Sequence, residues 1–162
     1  ALSSAASDVY KRQPYYLFNV YGALDSENEW WYDEEEQMLY LYGDPTGKTV
    51  QVKARDTAIN LDNVSYVNID GIQVLGAGIS GTNTSSITLN RVEANYAAHA
   101  STIENPYGTD VASIKLFGNN NTISNCEVAY SSATGVWISG DDNLLFNSKI
   151  HDTDYILSLI HI

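Results

Sequence analysis

The sequence predicts an all-β solenoid of about four coils, preceded by a β-hairpin. Asn, Ser, Thr, Gly and β-branched residues dominate, and stretches that favour helices are scarce. A pair of apolar residues five positions apart recurs, with a polar or small residue before its second member. A period near 20 residues is typical of solenoids, because each coil buries its apolar side only against the next one. The pairs follow one another at steps of 20, 36 and 22 residues: Val67/Ile72, Ile87/Val92, Ile123/Val128 and Leu145/Ile150.

Both ends of the chain are predicted to be translated sequencing adapter. Codons that can encode residues 157–162 are the reverse complement of codons for residues 8–13, and both match the mosaic end of a common transposase adapter. Adapter-derived segments do not belong in fold arguments. We therefore expect residues 1–13 and 157–162 to be tails, and residues 14–156 to be a fragment of a larger protein.

Residues 14–56 form an aromatic and acidic segment that precedes the coils. Two strand-like runs, residues 29–33 and 38–42, are joined by Glu34-Glu35-Glu36-Gln37, which predicts a β-hairpin with a charged loop. Another short strand is expected at residues 49–52.

The coils, residues 57–156, are predicted to contain short strands separated by turns. Alternation along a strand points successive side chains to opposite faces of the sheet. In the early strands of two coils it places the apolar members inside and their neighbours outside. The inward set is Ile114, Leu116, Val136 and Ile138, and the outward set is Lys115, Phe117, Trp137 and Ser139.

The repeat also predicts side-chain ladders, because equivalent residues of successive coils stack at the strand spacing of about 4.8 Å. Arg91, Glu127 and Lys149 each precede the second apolar residue of a pair. They are expected to form an outward ladder of alternating charge. Asn125 and Asn147 are expected to stack as an asparagine ladder.

The 36-residue step predicts an inserted loop. It exceeds one coil by roughly 15 residues, and the polar, turn-rich residues 95–111 supply the excess. Long loops on a solenoid gather on one face and commonly carry binding. His99 and Tyr107 of this loop are therefore candidates for substrate binding.

The coil pattern of residues 59–151 resembles the right-handed parallel β-helix of the pectate-lyase-like superfamily. Stretches such as SIKLFGNNNTISNCEVAYSS and GVWISGDDNLLFNSKIHDTDY carry the resemblance. The hairpin EWWYDEEEQMLYLY is similar to the unit that precedes the helix in many such carbohydrate-active proteins. The resemblance implies a right-handed parallel β-helix in a secreted, extracellular protein that binds or cleaves polysaccharide. Hydrolases, lyases, epimerases and noncatalytic spikes share the pattern, so it does not choose among them.

The charge balance bears on partners and substrates. The chain has 20 acidic and 8 basic residues and a net charge of −12. Nucleic-acid-binding proteins depend on basic surfaces, so no nucleic-acid partner is expected. A lyase acting on a polyanion needs Lys, Arg or calcium to neutralise carboxylates, and the basic residues here are scattered, which favours neutral sugars. No apolar run is long enough to span a bilayer, so no membrane partner is expected. We also expect the protein to be a monomer.

His151, Asp152 and Asp154 are the strongest candidates for catalysis. A histidine and two carboxylates within four residues can form a proton-transfer pair or part of a metal site. Asp152 is aligned with Val74, Ala94 and Tyr130 of earlier coils, so an acid there departs from the pattern. The alternative interpretation is a polar turn that leaves the third strand.

Gly140-Asp141-Asp142 resembles the paired aspartates of polygalacturonases. These residues fall one coil after the Asn-rich turn at residues 118–121, and Asp and Asn both suit turn geometry, so a structural role is the stronger interpretation.

Trp137 is predicted to project outward beside Lys115. An exposed tryptophan on a solenoid face is a suitable platform for stacking of a sugar, unless the loop of residues 95–111 covers it. No Cys/His metal spacing is present, so no metal ligands are assigned. No cofactor is expected other than calcium, for which the Asp-rich turns offer oxygen ligands.

Together these observations predict a fragment of a secreted carbohydrate-active β-helix protein, and first of all a glycoside hydrolase acting on polysaccharide. The main alternative is a noncatalytic glycan-binding or structural β-helix, such as an adhesin or spike. A polysaccharide lyase is the third candidate.

Overall fold

A computed structural model describes residues 20–99 and 111–153. The regular secondary structure of these residues is β-strand, apart from one short 3₁₀ turn at Tyr21–Ala23. The chain divides into two compact units between residues 51 and 52. The first unit contains a β-hairpin, and the second contains stacked parallel sheets.

The predicted hairpin is confirmed. Its strands are β1 (Trp30–Asp33) and β2 (Met38–Leu41), which pair antiparallel. The Asp33 carboxylate accepts hydrogen bonds from the backbone N–H groups of Glu35 and Glu36 at 2.9 and 3.1 Å, and these bonds close the loop. The predicted strand at residues 49–52 is wrong: these residues have no regular secondary structure and pair with no strand among the described residues. Without a paired neighbour, a segment forms no ladder.

The second unit contains four coils of three strands each within the described residues. Coil 1 comprises β3 (Thr57–Asn60), β4 (Asn68–Asp70) and β5 (Gln73–Leu75). Coil 2 comprises β6 (Gly78–Ser85), β7 (Thr88–Asn90) and β8 (Glu93–Asn95). Coil 3 comprises β9 (Ala112–Asn119), β10 (Thr122–Ser124) and β11 (Glu127–Ser131). Coil 4 comprises β12 (Thr134–Ser139), β13 (Leu144–Phe146) and β14 (Lys149–Thr153).

Equivalent strands of the four coils pair in parallel and form three sheets. The first sheet has the order β3-β6-β9-β12, the second β4-β7-β10-β13, and the third β5-β8-β11-β14. This arrangement confirms the predicted all-β fold, a parallel β-helix of four coils with an N-terminal hairpin. Most of the predicted inserted loop, residues 95–111, lies outside the described residues.

The corners of the coils are built from residues in the left-handed backbone conformation. Such residues turn the chain sharply while the strands on either side keep their ladders, and Gly, Asn and Asp adopt this conformation most readily. Each of three corner positions is occupied by four such residues, with φ between 46° and 70°. The three sets are Tyr66, Ser86, Asn120 and Asp142; Gly71, Arg91, Asn125 and Asn147; and Gly76, Tyr96, Tyr130 and Asp152.

The interior of the coils is apolar and most fully buried in coils 2 and 3. Ile79, Leu89 and Ile123 have no exposed surface. The predicted inward residues are confirmed, because Ile114 and Leu116 are buried while Val136 and Ile138 pack against the same cluster. Cys126, the lone cysteine, is also buried.

The predicted alignment of coils 2 and 3 is wrong by two residues. Ile123 lies opposite Leu89 rather than Ile87, so the true step is 34 residues. A shift of two residues keeps the same side chains facing inward, because the period of a strand is two. Both Ile87 and Leu89 are fully buried, and the apolar pattern alone therefore fits either alignment.

The predicted charge ladder fails for the same reason. Glu127 lies opposite Lys149 as expected, but its other neighbour is Glu93 instead of Arg91. Arg91 occupies a corner, from which its guanidinium donates to the Asp70 carboxylate at 2.6 Å.

The predicted asparagine ladder is confirmed. Asn147 Nδ2 donates to Asn125 Oδ1 at 2.5 Å, and Asn125 Nδ2 donates to Asn90 Oδ1 at 2.7 Å. Asn90 Nδ2 in turn donates to Asp70 at 3.0 Å. The ladder thus connects all four coils along the corner between the second and third sheets.

Candidate functional site

The outer face of the third sheet brings His151 together with two carboxylates. Alternation turns Val128 and Ile150 towards the interior, so Glu127 and His151 point outward. His151 Nε2 lies 2.8 Å from Glu127 Oε1, and Nδ1 lies 2.8 Å from Asp152 Oδ2. The imidazole therefore links coil 3 to coil 4. Glu127 was predicted only as a member of a charge ladder, and its contact with His151 was missed.

The two carboxylates favour the protonated form of His151. Hydrogen bonds to Glu127 first, and to Asp152 second, raise the pKa of His151 above its usual value. The pKa of Glu127 is lowered, mainly because His151 and then Lys149 donate to its carboxylate. The raised pKa favours an imidazolium, whose two N–H groups would both face acceptors, and such a group can donate a proton.

Asp152 lies at a corner of coil 4, in the left-handed conformation with φ of 49°. Its equivalents are Gly76, Tyr96 and Tyr130, so the predicted alignment with Val74 and Ala94 is wrong and only that with Tyr130 is right. Because Asp tolerates this conformation well, its presence has a structural cause besides any chemical one. Asp154 lies outside the described residues.

Two exposed tyrosines lie beside this cluster. The Tyr96 and Tyr130 rings stack with centroids 5.2 Å apart and an interplanar angle of 21°. Tyr130 also meets the His151 ring edge-on, with centroids 5.7 Å apart. The sequence prediction missed this pair because the coils were misaligned. At the correct step of 34 residues, Tyr96 and Tyr130 occupy the same corner of successive coils, which is the signal that would have revealed them.

Trp137 lies outward on the first sheet, directly opposite Lys115, as the sequence predicts. The Lys115 Nζ atom lies 5.3 Å from the centroid of Trp137 and 4.8 Å from that of Phe117. The Phe117 and Trp137 rings meet edge to face at 5.0 Å. All three side chains are half-buried, so they form a compact aromatic and cationic patch. Its role in substrate binding stays a prediction.

His99 lies shortly after β8, at the start of the predicted insertion, and its role in substrate binding stays a prediction. Its Nδ1 atom lies 3.0 Å from the Ser132 hydroxyl. Burial, and then the nearby Lys53, lower the pKa of His99, which favours the neutral imidazole. Tyr107, the other candidate from the inserted loop, lies outside the described residues.

Asp141 and Asp142 have clear structural roles. Asp142 occupies a corner position with φ of 56°. The backbone N–H of Asp141 donates to Asn119 Oδ1 at 2.8 Å, and its carbonyl accepts from the N–H of Asn120 at 3.0 Å. Both residues therefore stabilise the turn that joins the first and second sheets.

The described residues contain neither a metal-binding cluster nor a membrane-spanning helix. Their His, Cys, Asp and Glu side chains form no group of three or more that could hold a metal ion. Within residues 20–99 and 111–153, no helix has the length and apolarity needed to cross a membrane.

Comparison with known proteins does not assign this chain to a family. No protein-family model matches the chain, and no curated protein or solved structure matches it significantly.

Proposed function

We propose that the protein is a secreted carbohydrate-active β-helix protein of the pectate-lyase-like kind, and that it hydrolyses glycosidic bonds of a polysaccharide. The observation that carries this proposal is the position of His151 between Glu127 and Asp152, next to the exposed Tyr96–Tyr130 stack. Aromatic rings supply flat apolar surfaces for sugar rings, and adjacent acid and base groups supply proton transfer.

Each member of the cluster has a distinct role in the proposal. When a glycosidic oxygen replaces Asp152 as the acceptor at Nδ1, the His151 imidazolium donates this proton to it as the bond to the anomeric carbon breaks. The Asp152 carboxylate, released from its hydrogen bond to His151, accepts a proton from the water that attacks this carbon. Glu127 is a positioning residue, because its hydrogen bond orients His151 and keeps it protonated.

The test incubates the full chain with β-glucan, xylan, mannan, galactan and polygalacturonate, and measures new reducing ends. A neutral glycan is the expected substrate. Asp152→Asn and His151→Asn should each lower the rate by about a hundredfold or more, the usual contribution of a general acid or base. Asn suits the left-handed backbone at position 152, so this variant keeps the fold.

Asp141→Asn is the matched control, because it removes one carboxylate charge from a turn and should leave the rate unchanged. Absence of new reducing ends from every glycan would contradict the proposal. So would products with unsaturated ends, which a lyase releases.

A second candidate function, noncatalytic glycan binding, is favoured by the patch of Phe117, Trp137 and Lys115. This patch combines two aromatic rings with a cation that lies over both. If binding is the function, Trp137→Ala should abolish retardation of the chain in native gels that contain the glycan, and Asp152→Asn should not.

A further inference from the structure

A shallow cleft of about 430 Å³ lies along the corner between the second and third sheets, and the sequence prediction did not assign it a role. It spans coils 2 to 4. Its polar lining includes Arg91, Glu93, Asn125, Glu127, Asn147 and Lys149.

The cations of the cleft are already neutralised by neighbouring carboxylates. Arg91 Nη2 lies 2.6 Å from Asp70 Oδ2, and Lys149 Nζ lies 3.4 Å from Glu127 Oε1. A polyanionic ligand would have to displace these carboxylates before it could bind. The cleft therefore disfavours anionic ligands.

The carboxylates of the cleft keep unused hydrogen-bond acceptors. Glu93 and Glu127 lie directly opposite each other on β8 and β11, and like charges in that arrangement repel. Each of these two carboxylates accepts hydrogen bonds from the coil on its other side. Gln73 donates to Glu93 Oε2 at 2.6 Å, and His151 and Lys149 donate to Glu127 Oε1. Among the described residues, no donor meets Glu93 Oε1 or Glu127 Oε2.

We propose that this cleft is a binding subsite for a neutral oligosaccharide, a proposal that rests on the polysaccharide-directed function above. Sugar hydroxyls both donate and accept hydrogen bonds. They would donate to the free oxygens of Glu93 and Glu127, and would accept from the Arg91 and Lys149 side chains, which keep spare N–H groups. Glu127 belongs to both the cleft and the His151 cluster, so a glycan chain in the cleft would lead directly to the proposed catalytic groups.

The test titrates the full chain with cellohexaose, xylohexaose, mannohexaose and hexagalacturonate by isothermal calorimetry in buffer containing EDTA. At least one neutral hexasaccharide should bind, and hexagalacturonate should bind much more weakly. Glu93→Gln should weaken binding of the neutral ligand about tenfold, because the hydrogen bond from the sugar hydroxyl would no longer be made to a charged acceptor. Asp141→Asn, which removes one charge outside the cleft, should leave affinity unchanged.

Three results would overturn the subsite: no binding of any neutral hexasaccharide, preferred binding of hexagalacturonate, or equal affinity in the wild-type and Glu93→Gln chains. Thermal unfolding of Glu93→Gln checks that the fold persists. Catalysis is tested separately through Asp152→Asn. If the neutral ligand binds at Glu93 but no glycan is cleaved, the hydrolase proposal fails and the subsite stands. If a glycan is cleaved with the same KM in Glu93→Gln, the subsite fails and the hydrolase proposal stands.

Discussion

His151 is a residue whose ring links two coils. Its ring lies between carboxylates from β11 and β14, and its side chain is 24% exposed. Its raised pKa means that the folded state binds a proton more tightly than the unfolded state does. The lowered pKa of Glu127 has the opposite effect, since the folded state then favours the ionised carboxylate.

These shifts predict a pH window for stability. The contribution of His151 is complete below the unfolded pKa of 6.5 and is lost as pH rises through its higher folded pKa. The contribution of Glu127 is complete above 4.5 and is lost as pH falls through its lower folded pKa. His151→Asn should therefore lower the Tm most between these two values and progressively less as the pH rises above 6.5. A Tm difference that stays constant from pH 5 to about pH 9 would contradict this coupling.

Gly118 is a residue whose missing side chain is essential. A Cβ atom at this position would overlap the backbone of Thr84 on the neighbouring strand. Gly118→Ala should therefore lower the free energy of unfolding by about 3 kcal/mol, measured by urea denaturation. Gly71→Ala is the matched control: its φ is 68° but no atom lies within 4 Å of the added Cβ, so a loss of only about 1 kcal/mol is expected. Equal losses would show that steric overlap is not the cause.

The sequence predicted side-chain contacts between equivalent residues of correctly aligned coils, and missed the others. Trp137 meets Lys115 as predicted, because that contact needs only the 22-residue step between coils 3 and 4. The contacts of Tyr130 with Tyr96 were missed, because they depend on the step across the insertion. The contact of His151 with Glu127 is diagonal rather than directly opposite, and simple stacking of equivalent residues does not reveal it.

Among the structural elements, the asparagine ladder joins successive coils at one corner. Asn125 donates to one coil, accepts from the other, and itself turns the corner with φ of 55°. One side chain therefore supplies two hydrogen bonds between coils and a favourable backbone conformation. The same corner also borders the proposed oligosaccharide cleft.

Two substitutions separate these contributions. Asn125→Gly loses about 2 kcal/mol from the two hydrogen bonds but keeps the left-handed backbone. Asn125→Ala should lose about 1 kcal/mol more, because alanine disfavours that conformation. Urea denaturation of both variants measures the difference. Wild-type stability in Asn125→Gly would show that the ladder does not stabilise the coils.

The strands themselves were predictable only where apolar residues alternate clearly. The strand β9 contains Ile114 and Leu116 and was recognised. The strand β6, Gly78–Ser85, has Ile79 as its one large apolar residue, with Gly81 in the inward position opposite Leu116, and was not recognised. Its strand conformation depends on pairing with β3 and β9 on either side, which no local pattern records.

For the whole molecule, burial differs from coil to coil. Leu89 of coil 2 has no exposed surface, whereas its equivalent in coil 4, Leu145, is 41% exposed. In a solenoid each coil is stabilised mainly by its immediate neighbours, so inner coils should be more stable than outer ones.

Matched leucine substitutions test this gradient. Leu89→Ala should reduce the free energy of unfolding by about 3 kcal/mol, since it leaves a cavity in a fully packed interior. Leu145→Ala should cost about 1 kcal/mol, because less apolar surface is lost from a partly exposed site. Urea denaturation gives both values. A larger effect at Leu145 would contradict the view that coils 2 and 3 form the stable centre.

The strands on either side of the connection between β8 and β9 are held by pairing with other coils. Asn95 lies opposite Ala129, and Ala112 lies opposite Thr134, so the strands keep register before and after the intervening residues. The strand pairing described on either side does not fix the length of chain between His99 and Val111. For protein engineering, a foreign peptide grafted between these two residues would leave the described ladders and the buried Ala97 and Ala98 in place.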